Sequence, residues 1–148
     1  MIVELQILGY TALAMLLGGI IGLEREMADK PAGLRTHMLV AGAATFLTSM
    51  GETLVANLDV SEALIRSDPV RIIEAIITGI SFLGAGTIIR NRSENEVEGL
   101  TTAASLLFAA AVGIGVAEEL FALSVGTVIL VLLTLRIVKY VENRMKEQ

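Results

Sequence analysis

The sequence predicts an all-α fold: an integral membrane bundle of about five transmembrane helices, forming a single domain over residues 1–148. Three observations carry that prediction. Of the 148 residues, 54% are hydrophobic and only 18% charged, against about 45–50% and about 25% in soluble domains. The charges cluster between long apolar runs. Those runs approach the roughly 17–25 residues that a membrane-spanning helix needs.

The start, Met1-Ile2-Val3-Glu4, has no basic residue. It lacks the n-region of a cleaved signal peptide, so the first apolar run is expected to be a permanent span. That run, residues 5–23, is nineteen residues without a charge. Ala14, Gly18 and Gly22 are spaced by four, the pattern of a close-packing helix face. Glu24–Arg35 reads as the first loop, broken by Pro31 and Gly33. The second span, residues 36–55, is small and mildly polar, with Ala41, Gly42, Ala43, Ala44, Thr45, Thr48 and Ser49. Such a helix belongs inside a bundle.

The second loop, Ala56–Pro69, is acidic. Asp68 before Pro69 reads as an N-cap with proline at the first helical position. The third span, residues 70–89, lies in the stretch Arg71–Arg90, expected to be the central helix of the bundle. Ile73, Ile76, Ile77, Ile80 and Leu83 recur at helical spacing and make an aliphatic stripe for lipid or packing. Ala75, Gly79, Phe82 and Gly86 lie on the other side, which is expected to be gripped by neighbouring helices. Asn91–Gly99 reads as a polar loop. The fourth span, residues 99–117, is alanine-rich, Glu118-Glu119 makes a tight turn, and the fifth span, residues 120–138, runs into a charged tail.

Lysine and arginine counts set orientation. The first loop contributes three, the third loop two and the tail four, nine on one side; the other side has Arg66 and Arg71 alone. The tail and first loop are therefore expected in the cytoplasm and the N-terminus outside.

One histidine and no cysteine exclude thiolate metal sites, disulfides and most nucleophiles. The net charge of −5 argues against nucleic acid. His37 reads as an interfacial residue, since a lone histidine cannot build a zinc site. Glu24, Arg25 and Arg35 should converge with Arg90, Thr101 and Thr102 at the cytoplasmic end, either as topology anchors or as an anionic-ligand site. A connected network of Glu24, Arg25, Arg35 and Arg90 is expected there. Glu74, one turn from Arg71, is the acid closest to the interior of a span. Glu74 and Asp68 are weak candidates for holding a divalent cation. No cofactor and no resident metal is expected.

Several motifs in one order resemble a known family. Gly18-Gly19-Ile20-Ile21-Gly22-Leu23-Glu24-Arg25-Glu26, Ala32-Gly33-Leu34-Arg35-Thr36-His37-Met38-Leu39-Val40, Asp68-Pro69-Val70-Arg71, Phe82-Leu83-Gly84-Ala85-Gly86 and Gly99-Leu100-Thr101-Thr102-Ala103-Ala104-Ser105 resemble the MgtC/SapB family from about Gly18 to Gly115. The resemblance implies a bacterial inner-membrane protein of about five spans without enzymatic activity. It implies a link to growth at low magnesium, and a membrane partner such as the ATP synthase. It marks Thr36, His37, Gly79, Gly84 and Gly86 as further residues of interest. Ser81, Ala75 and Leu107 depart from common family residues. The soluble domain that many members carry after the last span is not expected here, which favours a shorter SapB-like branch.

Two functions are expected from these readings. One is a non-enzymatic membrane protein of magnesium adaptation, working through a protein partner in the bilayer, with self-association as a further expectation. The other is a small cation transporter or channel using Glu74 and the small face of the third span.

Overall fold

A computed structural model of the chain describes residues 1–56, 69–91 and 96–146. Five helices account for almost all of them: α1, Ile2–Met27; α2, Leu34–Ala56; α3, Pro69–Ala85; α4, Leu100–Ala117; and α5, Phe121–Lys146. A short antiparallel ribbon joins α3 to α4, with β1, Ile89–Asn91, paired to β2, Glu96–Glu98. Among the described residues, α1 and α4 are long and apolar enough to cross a bilayer, and the apolar part of α5, Phe121–Ile137, is shorter.

Helix α1 does not stop at Leu23. It carries Glu24, Arg25 and Glu26 into its last turn, because these are good helix formers and a basic residue suits the negative helix end. It closes with Lys30 N–H on the Arg25 carbonyl, Asp29 N–H on the Glu26 carbonyl, and Asp29 left-handed at φ 53°. That is the Schellman arrangement with a non-glycine residue at its left-handed position. The α4–α5 turn repeats it. Leu120 N–H reaches the Gly115 carbonyl, Glu119 N–H reaches that of Val116, and Glu119 has φ 60°.

The centre of the bundle is shared by α2 and by α4, which meets every other helix, where the sequence reading placed α3. The packing of α2 is the closest: it is most extensive against α1, then α4, and also meets α3. Small residues make this fit. A Cβ on Gly22 would lie 2.7 Å from the Gly33 carbonyl oxygen and 2.8 Å from His37 Cβ, and one on Gly18 would lie 2.6 Å from the His37 carbonyl oxygen. On the other flank, Gly113 presses against the Ala41 carbonyl. The expected glycine seam of the first span therefore meets α2. Around it Ala14, Leu17, Ile21, Ala41, Ala44, Leu106, Ala109, Ala110, Val112 and Val116 form the core.

Helix α3 faces the opposite way from the expected one. One line of its aliphatic side packs inward, with Ile76 buried and Ile72 and Ile80 against the core, while Ile77 and Leu83 of the same stripe are exposed. Ala75, Thr78, Gly79, Ser81 and Gly86 are exposed, and Phe82 is 84% exposed. The branched side chains win the groove because they fill it. The Ile72 side chain, for one, occupies the space that Gly51 leaves without a side chain. The helix also ends before its expected limit of residue 89. Gly84 and Gly86 weaken it, and the β-branched run Thr87-Ile88-Ile89 favours extended backbone. Thr87 Oγ1 donates to the Gly84 carbonyl at 2.7 Å, closing the helix. Gly99, at φ 90°, sits against the Thr87 carbonyl, a position that only glycine fills without strain. The expected acidic second loop, including the Asp68 cap, lies outside the described residues.

These contacts put the sensitive glycines on α1 and α4 and not on the small side of α3. Gly22→Leu and Gly113→Leu should each cost about 3 kcal/mol or more, since bulk inserted between packed backbones forces the helices apart. Gly79→Leu should stay within about 0.5 kcal/mol for the isolated chain, because a Cβ there meets nothing within 4 Å. Thermal unfolding of the purified variants in mild detergent checks the ranking.

Candidate functional site

Alternation of the helices gathers the polar side chains into two layers at opposite ends of the bundle. The first lies where α1 ends and α2 and α4 begin. Glu24 and Arg25 are 8% and 3% exposed. Arg25 Nε donates to Glu24 Oε2 at 2.6 Å. A charge removed from water needs such a partner, and arginine gives a planar set of donors to meet it. His37 is fully buried. Its Nδ1 lies 2.9 Å from the Gly33 carbonyl oxygen, and its Nε2 lies 3.0 Å from Ser105 Oγ. Ser105 Oγ is in turn 2.8 Å from the Thr102 carbonyl oxygen. Arg25 is near enough to act on the imidazole electrostatically. Glu26 braces the loop, accepting from the Leu34 N–H at 2.8 Å.

The second layer lies at the far end. Tyr10 Oη donates to Glu119 Oε1 at 2.8 Å, Gln6 Nε2 reaches the same oxygen at 3.2 Å, and the Tyr10 ring packs edge-on to Phe121 with centroids 5.5 Å apart. Glu52, near the end of α2, feels the like charges of Glu118 and Glu119. Between the layers, Thr45 Oγ1 donates to the Gly113 carbonyl at 2.7 Å. One hydroxyl thus ties α2 to α4 at their closest approach.

The structure brings together Glu24, Arg25, His37 and Thr102, and separates others expected with them. His37 is a core residue and not an interfacial one. Arg35 is exposed and makes no ion pair among the described residues, where the side-chain pair is Glu24–Arg25. Of the four expected members Glu24 and Arg25 pair, and Arg35 stands apart at the surface. The Arg90 side chain and Asp68 lie outside the described residues. Thr36 is half-buried and Thr101 exposed, while Gly84 is buried with room for no more than a tight contact to Ala103. Gly79 and Gly86 are on the open face. Arg71 and Glu74 are both exposed at the start of α3. Among the described residues no cluster of three or more acidic or histidine side chains is arranged to hold a metal ion.

Sequence reasoning missed Ser105, Thr45 and the Gln6–Tyr10–Glu119 group. The one available signal was Ser105, three residues after Thr102 on the small face of the fourth span. A buried imidazole needs a polar partner, and that hydroxyl was the nearest in the matching motif.

Glu24→Gln should cost about 3–5 kcal/mol, because it strands a buried guanidinium. Arg35→Lys should cost no more than about 0.5 kcal/mol at its exposed position. In a double-mutant cycle Arg25→Gln should recover part of the Glu24→Gln loss, the sign of a direct pair. Chemical unfolding in detergent measures all three.

Comparison with known proteins agrees with the motifs. The MgtC family model matches residues 11–144. The putative magnesium transporter YhiD of Escherichia coli K12 is 39% identical over 128 residues, 84% of this chain and 57% of that protein. Protein SapB of Bacillus subtilis is 31% identical over 132 residues, 89% of this chain and 56% of SapB. Protein MgtC of Brucella abortus is 46% identical over 102 residues, 68% of this chain and 38% of MgtC. The chain thus spans little more than half the length of YhiD and SapB and well under half that of MgtC, so length does not set it on a SapB-like branch. No solved structure matches it. The motifs of the first, third and fourth spans stand inside the matched region, and the chain belongs to the MgtC family.

Proposed function

We propose that this chain is a non-enzymatic, multi-pass protein of the bacterial inner membrane that serves adaptation to scarce magnesium by contact with a membrane protein partner. The observation that carries the membrane reading is the inside-out distribution of side chains. Glu24, Arg25, His37, Thr45, Thr102, Ser105 and Ser124 are buried, while Leu5, Leu8, Leu16, Leu23, Leu123, Leu130 and Leu133 face outward. Water would favour the reverse, and lipid accepts this arrangement. All five helices then span, with the N-terminus outside and the Glu24–His37 layer toward the cytoplasm, as the lysine and arginine count supports.

The link to magnesium rests on family membership and on the E. coli relative's name. A role through a partner is favoured by the chemistry of the inner layer. Its guanidinium, carboxylate and imidazole bond to one another, to Ser105 and to backbone, an arrangement that joins helices and does not present ligands to a passing ion. The small and hydroxylated outer face of α3 is the surface on which a helix of a membrane complex, such as the ATP synthase, would pack. The second reading, a small cation transporter, draws on Glu74 and the small face of α3, both exposed on the outside of the bundle.

Two measurements separate the readings. Expression should restore growth at low magnesium to a strain lacking its own family member, and liposomes holding the purified chain should pass no more magnesium than empty ones. Flux above that background favours the transporter, and failure to restore growth removes the magnesium link. A reporter fused after Arg136 should read cytoplasmic.

A further inference from the structure

We infer that His37 is a proton-binding site whose occupancy decides which partner the Ser105 hydroxyl serves, and so how α2 is tied to the first turn of α4. Three distances carry the argument. The Gly33 carbonyl oxygen, 2.9 Å from Nδ1, can only accept, so Nδ1 bears a proton in every state. Ser105 Oγ, 3.0 Å from Nε2, has one proton to give. It faces two acceptors, the Nε2 lone pair of a neutral ring and the Thr102 carbonyl oxygen at 2.8 Å. A neutral imidazole takes the hydroxyl proton and leaves the Thr102 carbonyl without it. When a proton adds to Nε2, the new N–H donates to Ser105 Oγ, and the hydroxyl proton turns to Thr102. The imidazolium state satisfies every donor and acceptor in the chain Gly33–His37–Ser105–Thr102. The neutral state leaves the Thr102 carbonyl with its backbone bond in α4 alone.

The charged neighbours of the ring come from α1. Arg25 carries a positive charge that opposes a proton on the ring, and Glu24 is bonded to Arg25. Helix α4 contributes the neutral Ser105 and Thr102. Arg35 on α2 is exposed to solvent. The Thr102 end of this chain adjoins Ala103, which meets Gly84 of α3. This inference is independent of whether the protein carries ions.

His37 is the chain's one histidine, so the imidazole nitrogens can be observed without assignment. The full chain, labelled with ¹⁵N-histidine and reconstituted in nanodiscs, is titrated from about pH 5 to 8.5, the range in which histidine changes charge. Expected is a proton on Nδ1 throughout, with Nε2 changing from lone-pair-bearing to protonated in one step as pH falls. Ser105→Ala removes an acceptor that the charged ring uses, and should lower the midpoint by about half a pH unit or more. Ser105→Thr, which keeps the hydroxyl, should hold it near the wild-type value and covers the case in which the alanine variant does not fold. A lone pair on Nδ1, an Nε2 that never gains a proton in this range, or a midpoint shifted as far by threonine as by alanine would overturn the inference.

Discussion

Backbone-to-backbone approach at a few glycines is the constraint on which this structure depends. In lipid, apolar side chains gain nothing by leaving one hydrocarbon surface for another, so helices associate through close packing and hydrogen bonds. Gly18 and Gly22 bring α1 onto the start of α2, and Gly113 brings α4 onto its middle. Only at that separation can Thr45 reach the Gly113 carbonyl and His37 reach Ser105. The polar contacts follow from the steric ones.

The same closeness explains the Glu24–Arg25 pair. Adjacent helical residues point about 100° apart and seldom meet. Here both lie under packed neighbours, and neither can reach water without leaving the other. Burial has forced a local pair, and a buried pair of this kind is as much a constraint as a source of stability. A well-packed apolar substitute would serve stability equally well. What the pair adds is a fixed end to α1 beside the imidazole.

Much of this was legible in the sequence. Apolar runs gave the helices, the spacing of Gly18 and Gly22 gave a true contact face, and Pro69 and Gly99 marked real helix starts. The facing of α3 was not legible. Its small and aliphatic sides carry equal periodicity, and the choice turns on a hole at Gly51 in another helix. The early end of α3 was hidden because an apolar β-branched run reads alike as membrane helix or as strand. His37 looked interfacial because sequence position gives depth along a helix but not direction around it. Arg35 failed to join Glu24 for that same reason.

The turn between α4 and α5 has a consequence for how the protein is made. Only Glu118, Glu119 and Leu120 separate the two helices, and the turn is closed by backbone bonds to Gly115 and Val116. A connection that short cannot wait on one side of a bilayer while a single helix inserts. On the membrane reading, α4 and α5 enter together as a preformed hairpin. The two carboxylates at its tip are carried across the hydrocarbon as it does so. Glu119 then reaches Tyr10 and Gln6 of α1, which were synthesised first and stand ready to receive it. The Tyr10–Glu119 hydrogen bond then joins the tip of the hairpin to the first helix.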